Sequence, residues 1–244
     1  MKFLAPSLLL ASLAASSPIT PPSTISISTT SHRDHPDIEA RQFADFGIPG
    51  FSTMNDLVDG DASACPKVVL VFGRATLEPG NMGISTGPAL ASGLRALYGE
   101  TGVWVQGIGN PYMADFANNF APQGASSAAI GEAVRLLELA ASKCPGSGIV
   151  VGGYSQGSAV VAAALGRVGK GVRGRVRGVV LFGYSQNKQN HGLVPGFPSE
   201  KVKVFCALGD LVCQGSLAVT FVHFSYLDDA AGPAVEFLSS KIGV

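Results

Sequence analysis

Residues 149–157 read Ile149-Val150-Val151-Gly152-Gly153-Tyr154-Ser155-Gln156-Gly157. The apolar start of this stretch predicts a buried strand, and the small residues from 158 to 165 predict a helix directly after the Gly-x-Ser-x-Gly motif. A sharp strand-to-helix turn would present Ser155 at the end of a sheet, beside a helix N-terminus that favours developing negative charge. The stretch therefore predicts a nucleophilic serine. A plain glycine-rich turn is the alternative interpretation.

Short apolar runs alternate with amphipathic stretches on both sides of this motif. We expect strands over 68–72, 103–108, 149–151, 176–182 and 201–208, and helices over 88–98, 126–141, 156–168 and 233–242. Strands that alternate with helices form parallel sheets covered on both faces. The sequence thus predicts an α/β fold: a small three-layer sandwich whose central, mostly parallel sheet has about five strands, with helices on both faces.

A serine hydroxyl needs a base and an acid to become a nucleophile, and on this architecture they follow it in the order acid, then histidine. The only histidines after Ser155 are His191 and His223, and the only carboxylates between Ser155 and His223 are Glu200 and Asp210. Asp210 follows the predicted strand 201–208, so it should lie at the same edge of the sheet as Ser155, whereas Glu200 precedes that strand. The sequence predicts Ser155, Asp210 and His223 as the catalytic triad, and a loop position for His191.

An acyl-transfer site also needs donors for the oxyanion. The backbone N–H of Gln156, the residue after the predicted nucleophile, should be one of them. The second should come from the loop after the first strand, Arg74-Ala75-Thr76, where Thr76 could offer its N–H and its hydroxyl.

Composition limits the possible functions of the 244-residue chain. Seventeen basic residues balance seventeen acidic ones, so no long-range field favours nucleic acid as a partner. Residues 1–17 are typical of a signal peptide, and 18–41 of a disordered Ser/Thr/Pro-rich pro-segment. Cleavage after Arg41 would remove this segment, and a flexible tail that stays attached is the alternative. We expect residues 42–244 to form a single exported domain without a transmembrane helix. Within it, residues 42–61 are either a strap packed on the body or a lid.

The four cysteines favour disulfides, because an even number in an exported chain is typical of them. Three connectivities are possible. Cys206 and Cys213 are close enough in sequence to close one loop, which would leave Cys65 to pair with Cys144. A zinc site is the competing interpretation, but the chain lacks the paired Cys or His spacing typical of one.

Several motifs together resemble fungal cutinases. They are the serine motif 153–157, Gly209-Asp210-Leu211-Val212-Cys213, the following 215–217, Val103-Trp104-Val105-Gln106-Gly107, and Leu181-Phe182-Gly183-Tyr184. The resemblance runs from about Cys65 to the C-terminus. It implies a small α/β-hydrolase with a Ser–Asp–His triad and two disulfides. It also implies a monomer that hydrolyses cutin, a plant polyester, without cofactor or metal.

The resemblance also assigns further positions. Asn119 matches the asparagine that orients the hydroxyl of the oxyanion loop, and Thr76 matches the residue carrying that hydroxyl. Two lips, 115–121 and 217–224, would flank the nucleophile. Their apolar side chains would form the substrate groove: Phe116, Phe120, Leu217, Val219 and Phe224. Ala75, where the family commonly has Gly, and Val222, where Pro often precedes the histidine, are departures that bear on rate and substrate preference.

These observations predict a secreted serine esterase acting on polymeric or lipid-like esters. An acetylxylan esterase of the same fold is the nearest alternative, and the apolar lips favour lipid-like polyesters over sugars. A non-catalytic secreted binding protein is the alternative from another class, and the filled triad positions argue against it.

Overall fold

The structure is a computed structural model that describes residues 52–243. The predicted signal peptide (1–17), the pro-segment (18–41) and residues 42–51 of the predicted strap or lid lie outside the described residues. Within 52–243, no helix has the length and apolar character needed to cross a membrane.

The described chain forms one five-stranded sheet in which every paired strand is parallel. The strands lie in the order β2-β1-β3-β4-β5. Their bounds are β1 Val68–Gly73, β2 Val103–Gly107, β3 Gly148–Tyr154, β4 Val176–Phe182 and β5 Val202–Phe205. The predicted α/β class is confirmed, because long apolar runs such as Val68–Phe72 form strands that are buried on both faces.

Helices cover both faces of the sheet. Their bounds are α1 Asp56–Asp59, α2 Thr86–Tyr98, α3 Ser127–Lys143, α4 Gln156–Arg167, α5 Lys170–Arg175, α6 Leu227–Ala231 and α7 Pro233–Ile242. Short 3-10 turns lie at 62–64, 100–102, 117–120, 199–201 and 221–224. Ser126 caps α3 through its side chain, which accepts from the Ala129 N–H. The short helices α1, α5 and α6 were not predicted.

Alternating strand residues build two separate core layers. One layer places Val69, Val71, Val151 and other buried residues against the apolar faces of α3 and α4. The other places Leu70, Phe72 and further residues against α2, α6 and α7. The side-chain period of two sends neighbours to opposite faces, so each strand contributes to both layers.

The predicted strand 201–208 is shorter in the structure and ends at Phe205. Cys206 is bonded to Cys213, and the Ala207 carbonyl accepts from the Asp210 N–H (3.0 Å) in a turn. These contacts bend the chain away from the ladder and begin the loop that carries Asp210.

Residues 52–60 cover the β2 edge of the sheet. Asn55 forms an antiparallel bridge with Gln106, and the Met54 carbonyl accepts from the Gly107 N–H (2.9 Å). The Asp56 carboxylate accepts from the Val105 N–H (2.9 Å). These contacts bond the described part of the predicted strap or lid to the body.

Both cysteine pairs form disulfides in the structure. Cys65 joins Cys144 and fastens the segment before β1 to the end of α3. Cys206 joins Cys213 across the loop that contains Asp210.

Candidate active site

Ser155 lies at the turn between β3 and α4, in a left-handed backbone conformation (φ 52°, ψ −118°) that non-glycine residues rarely adopt. Glycines make this turn possible. A Cβ at Gly157 would lie 2.0 Å from the Gly73 carbonyl oxygen, so only glycine lets the start of α4 approach the end of β1. The Ser155 N–H donates to the Phe182 carbonyl (2.9 Å), which attaches the turn to β4.

The three side chains predicted as a triad meet at this edge of the sheet. The Ser155 Oγ lies 3.0 Å from Nε2 of His223, and the His223 Nδ1 lies 2.8 Å from Oδ2 of Asp210. Asp210 is fully buried, His223 is 3% exposed and Ser155 is 8% exposed. The geometry gives Nε2 the position of a base for the serine proton and gives the carboxylate the position that orients the ring.

The loop after β5 holds the Asp210 carboxylate in place. The Val212 N–H donates to Oδ1 (2.9 Å), and the Cys206–Cys213 disulfide closes the loop around the aspartate. The Tyr226 hydroxyl donates to Oδ2 (2.5 Å). Sequence reasoning missed Tyr226, because its contact with Asp210 depends on how two loops pack.

His223 lies in the 3-10 turn 221–224, and two neighbours restrict its ring. A Cβ at Gly183, where φ is +51°, would lie 2.6 Å from the ring Cε1, so the chain after β4 passes directly against the imidazole. The Tyr154 hydroxyl donates to the His223 main-chain carbonyl (2.7 Å). Burial raises the pKa of Tyr154 above its ordinary value, so this hydroxyl stays a donor.

The predicted oxyanion loop lies beside the serine. The Asn119 Nδ2 donates to Oγ1 of Thr76 (3.1 Å), which joins the lip 115–121 to this loop. Leu77 N–H donates to the Ala114 carbonyl (2.8 Å) and the Gln156 side-chain amide donates to the Asp115 carbonyl (2.8 Å). The loop, the lip and the helix after Ser155 are therefore bonded to one another.

Two charged residues that sequence reasoning did not assign shape the oxyanion loop. Glu78 accepts three hydrogen bonds, from the Ala75 N–H (2.8 Å), the Ile84 N–H (3.1 Å) and the Ser85 hydroxyl (2.7 Å). The buried guanidinium of Arg74 donates to the carbonyls of Glu78, Ile108 and Tyr112. Burial lowers the pKa of Arg74 below its ordinary value. A carboxylate four residues after Arg74, in a chain with few charges, is the signal that could have indicated this pair.

A cleft of about 510 Å³ opens beside Ser155 and His223. Four of the five predicted groove residues line it: Phe116, Leu217, Val219 and Phe224. The fifth, Phe120, does not line this cleft but packs edge-to-face on Phe116 at 5.5 Å between ring centroids, and its place in the groove stays a prediction. Leu77 and Ile84 complete the apolar lining and were not predicted.

The two residues that the triad prediction set aside lie elsewhere. His191 is exposed in a loop with φ +54°, and Glu200 lies in the 3-10 turn before β5. Neither lines the cleft.

Comparison with known proteins identifies the family of the chain. Residues 64–242 match the Cutinase family. A cutinase of Didymella rabiei is 54% identical over 189 residues, which are 78% of this chain and 84% of that protein. The chain belongs to the cutinase family. The resemblance inferred from the sequence motifs is thereby confirmed.

Solved structures agree with this membership of the cutinase family. A Trichoderma reesei cutinase in complex with a C11Y4 phosphonate inhibitor has a TM-score of 0.68 and 28% identity, covering 85% of this chain and 87% of that chain. An acetylxylan esterase solved at 0.90 Å resolution has a TM-score of 0.57 and 21% identity, covering 73% of this chain and 100% of that chain. The second similarity concerns the fold alone.

Proposed function

We propose that this cutinase-family protein hydrolyses cutin-type polyesters and short-to-medium acyl esters through an acyl-enzyme on Ser155. It is a carboxylic ester hydrolase by family. The observation that carries the assignment of Ser155 is the unbroken hydrogen-bonded chain from its Oγ through His223 to the buried Asp210, at the floor of an apolar cleft.

The reaction uses groups of the chain itself. His223 takes the Ser155 proton through Nε2 as Oγ attacks the ester carbonyl, and the new oxyanion accepts from the Gln156 and Thr76 N–H groups and the Thr76 hydroxyl. His223 then returns the proton to the leaving alcohol. Water, activated by the same imidazole, releases the acid. Asp210 fixes the imidazole tautomer and stabilises its cation in both steps.

The shape of the cleft supports an apolar acyl chain over a sugar. Apolar side chains of both lips line the cleft, and several of them are strongly exposed, among them Phe116 at 54% and Phe224 at 66%. Exposed aromatic and aliphatic side chains around a cleft favour contact with an apolar polymer. Asn119 and Glu78, which are hydrogen-bonded to the oxyanion loop, are among the polar residues that line the cleft.

Location and assembly belong to the same proposal. The protein acts outside the cell as a monomer, with residues 1–41 removed. The two disulfides support an oxidising compartment. Sedimentation of the processed protein measures its mass directly, and a dimer would contradict this part.

The decisive experiment compares wild type, Ser155→Ala and the exposed-helix control Ser142→Ala on a p-nitrophenyl butyrate assay. We expect Ser155→Ala to lose activity by about 10⁴-fold or more and Ser142→Ala to keep it. A phosphonate ester should label wild type at Ser155 by mass spectrometry. Equal activity of Ser155→Ala and wild type would contradict the mechanism.

Polymer assays then separate the two esterase candidates. Release of hydroxy acids from cutin without deacetylation of acetylxylan supports the proposal. Faster deacetylation of acetylxylan would favour the alternative, and no turnover of any ester would favour a binding protein.

A further inference from the structure

Tyr226 is buried against the proposed triad although no step of the mechanism uses it. Its side chain is 1% exposed, and its hydroxyl donates to Oδ2 of Asp210 at 2.5 Å. The same oxygen lies 2.8 Å from Nδ1 of His223. One carboxylate oxygen therefore serves both the imidazole and a phenol.

We propose that Tyr226 is a positioning residue whose hydroxyl fixes the Asp210 carboxylate and withdraws part of the charge that it presents to His223. The proposal rests on the function proposed above. It adds a fourth group to the hydrogen-bonded chain, one that acts on the serine only through Asp210 and His223.

The hydrogen bonds of Asp210 support the first part. The carboxylate is fully buried, so its charge must be balanced by donors rather than water. Oδ1 accepts from the Val212 N–H (2.9 Å), and Oδ2 accepts from His223 and Tyr226. Three directions fix the carboxylate plane, and without the phenol only two remain.

The surroundings of Tyr226 orient its hydroxyl proton. The Ala207 N–H donates to the phenol oxygen at 3.0 Å, which occupies a lone pair and leaves the O–H directed at Asp210. The ring packs edge-to-face against His223 (6.3 Å, 89°) and against Tyr154 (6.1 Å, 68°). Burial, together with the hydrogen bond to Asp210, raises the pKa of Tyr226. The phenol thus remains protonated and a donor at neutral and acidic pH.

The second part concerns the charge felt by the imidazole. A carboxylate that shares its charge with a phenol stabilises an imidazolium less than one that does not. Removing the phenol should therefore move the acid limb of kcat/KM to higher pH. The other ionisable groups whose charges act on this cluster are Tyr154, Glu78 and Asp229. Glu78 and Asp229 are the same in every variant below, and Tyr154 changes only in the control Tyr154→Phe.

The test compares Tyr226→Phe with Tyr154→Phe. Both remove one buried hydroxyl next to His223, but the Tyr154 hydroxyl donates to the main-chain carbonyl of His223 (2.7 Å) and not to Asp210. We expect Tyr226→Phe to lower kcat about tenfold with little change in KM, and to move the acid limb of kcat/KM up by about half a pH unit. The acid limb of Tyr154→Phe should stay where wild type has it.

A purely structural role for Tyr226 predicts another result. Both variants would then have a lower Tm, and the acid limb of kcat/KM for Tyr226→Phe would stay where wild type has it. That result would overturn the proposal. If Tyr226→Phe does not fold, 3-fluorotyrosine at position 226 replaces it. This more acidic phenol should move the limb downward, and an unmoved limb would again overturn the proposal.

Failure of the underlying function looks different. In that case wild type itself lacks esterase activity or Ser155→Ala retains it. An active wild type with an unmoved limb in the variants refutes only the role of Tyr226.

Discussion

Replacing Gly183 by alanine should disable the proposed triad although none of the three triad residues is itself replaced. Gly183 follows β4 with φ +51°, and a Cβ built there lies 2.6 Å from Cε1 and 2.9 Å from Nδ1 of His223. Carbon atoms in ordinary contact stay about 3.5–4.0 Å apart, so the ring must retreat by roughly 1 Å.

The retreat sets the magnitude of the effect. The His223 Nε2 now lies 3.0 Å from Oγ of Ser155, and a displacement of that size takes the pair beyond hydrogen-bond distance. Misplacement by about 1 Å at a reacting group costs on the order of 10²-fold, and we expect a loss of that size in kcat/KM. The free energy of unfolding should fall by roughly 2–4 kcal/mol, from the left-handed backbone and the overpacked ring.

Gly192→Ala is the matched control, because Gly192 also has a left-handed backbone (φ +74°) but only the Asn187 Oδ1 at 3.7 Å near its Cβ. Steady-state hydrolysis of p-nitrophenyl butyrate and urea unfolding measure both variants. Gly192→Ala should lose about 1 kcal/mol of stability and keep its kcat. If Gly183→Ala retains kcat/KM within twofold of Gly192→Ala, the argument from ring displacement is wrong.

Three further predictions concern the loops and the buried tyrosines. Replacing both cysteines of the Cys206–Cys213 pair by serine should lower the free energy of unfolding in urea by about 2.5 kcal/mol. It should also lower kcat, because this loop holds Asp210. Replacing Cys65 and Cys144 by serine should lower the free energy of unfolding by about 4.5 kcal/mol and leave kcat unchanged. The opposite ranking in either measurement would contradict this. Glu78→Gln places an amide N–H group where the carboxylate now accepts three hydrogen bonds. The rate of phosphonate labelling at Ser155 should therefore be about tenfold lower than in the exposed control Glu100→Gln. Equal labelling rates in the two variants would contradict this prediction. Burial raises the pKa of Tyr184 to about 12. The neutral phenol therefore stabilises the folded protein fully below about pH 10, and this contribution to the free energy of unfolding is lost as the pH rises towards about 12. Urea unfolding of Tyr184→Phe should show a smaller loss of stability over that pH range.

Local patterns in the sequence were sufficient for the framework of the molecule. Apolar runs and their alternation with helices predict the parallel sheet, because strands buried on both faces need unbroken apolar sequence. The sheet edge at which the strand before it ends selects Asp210 over Glu200, and the order acid, then histidine selects His223 over His191. The structure brings these three side chains together.

Local sequence patterns could not predict contacts between side chains that are distant in the sequence. Tyr226 acts on Asp210, which another loop carries, and nothing in the sequence around Tyr226 indicates that partner. The packing of Phe120 is a contact of the same kind. Position in a lip predicts nearness to the cleft, but the 3-10 turn 117–120 directs which side chains line it, and Phe120 packs on Phe116 instead.

The segment 52–60 along β2 has a consequence for colloidal behaviour. An outermost strand with free amide groups is a template for pairing with a second molecule. Here the Val105 and Gly107 amides are already engaged by Asp56 and Met54. Enzyme molecules adsorbed at high density on an insoluble polymer could otherwise aggregate by pairing their β2 strands. The segment 52–60 leaves the Val105 and Gly107 amides of β2 unavailable for such pairing.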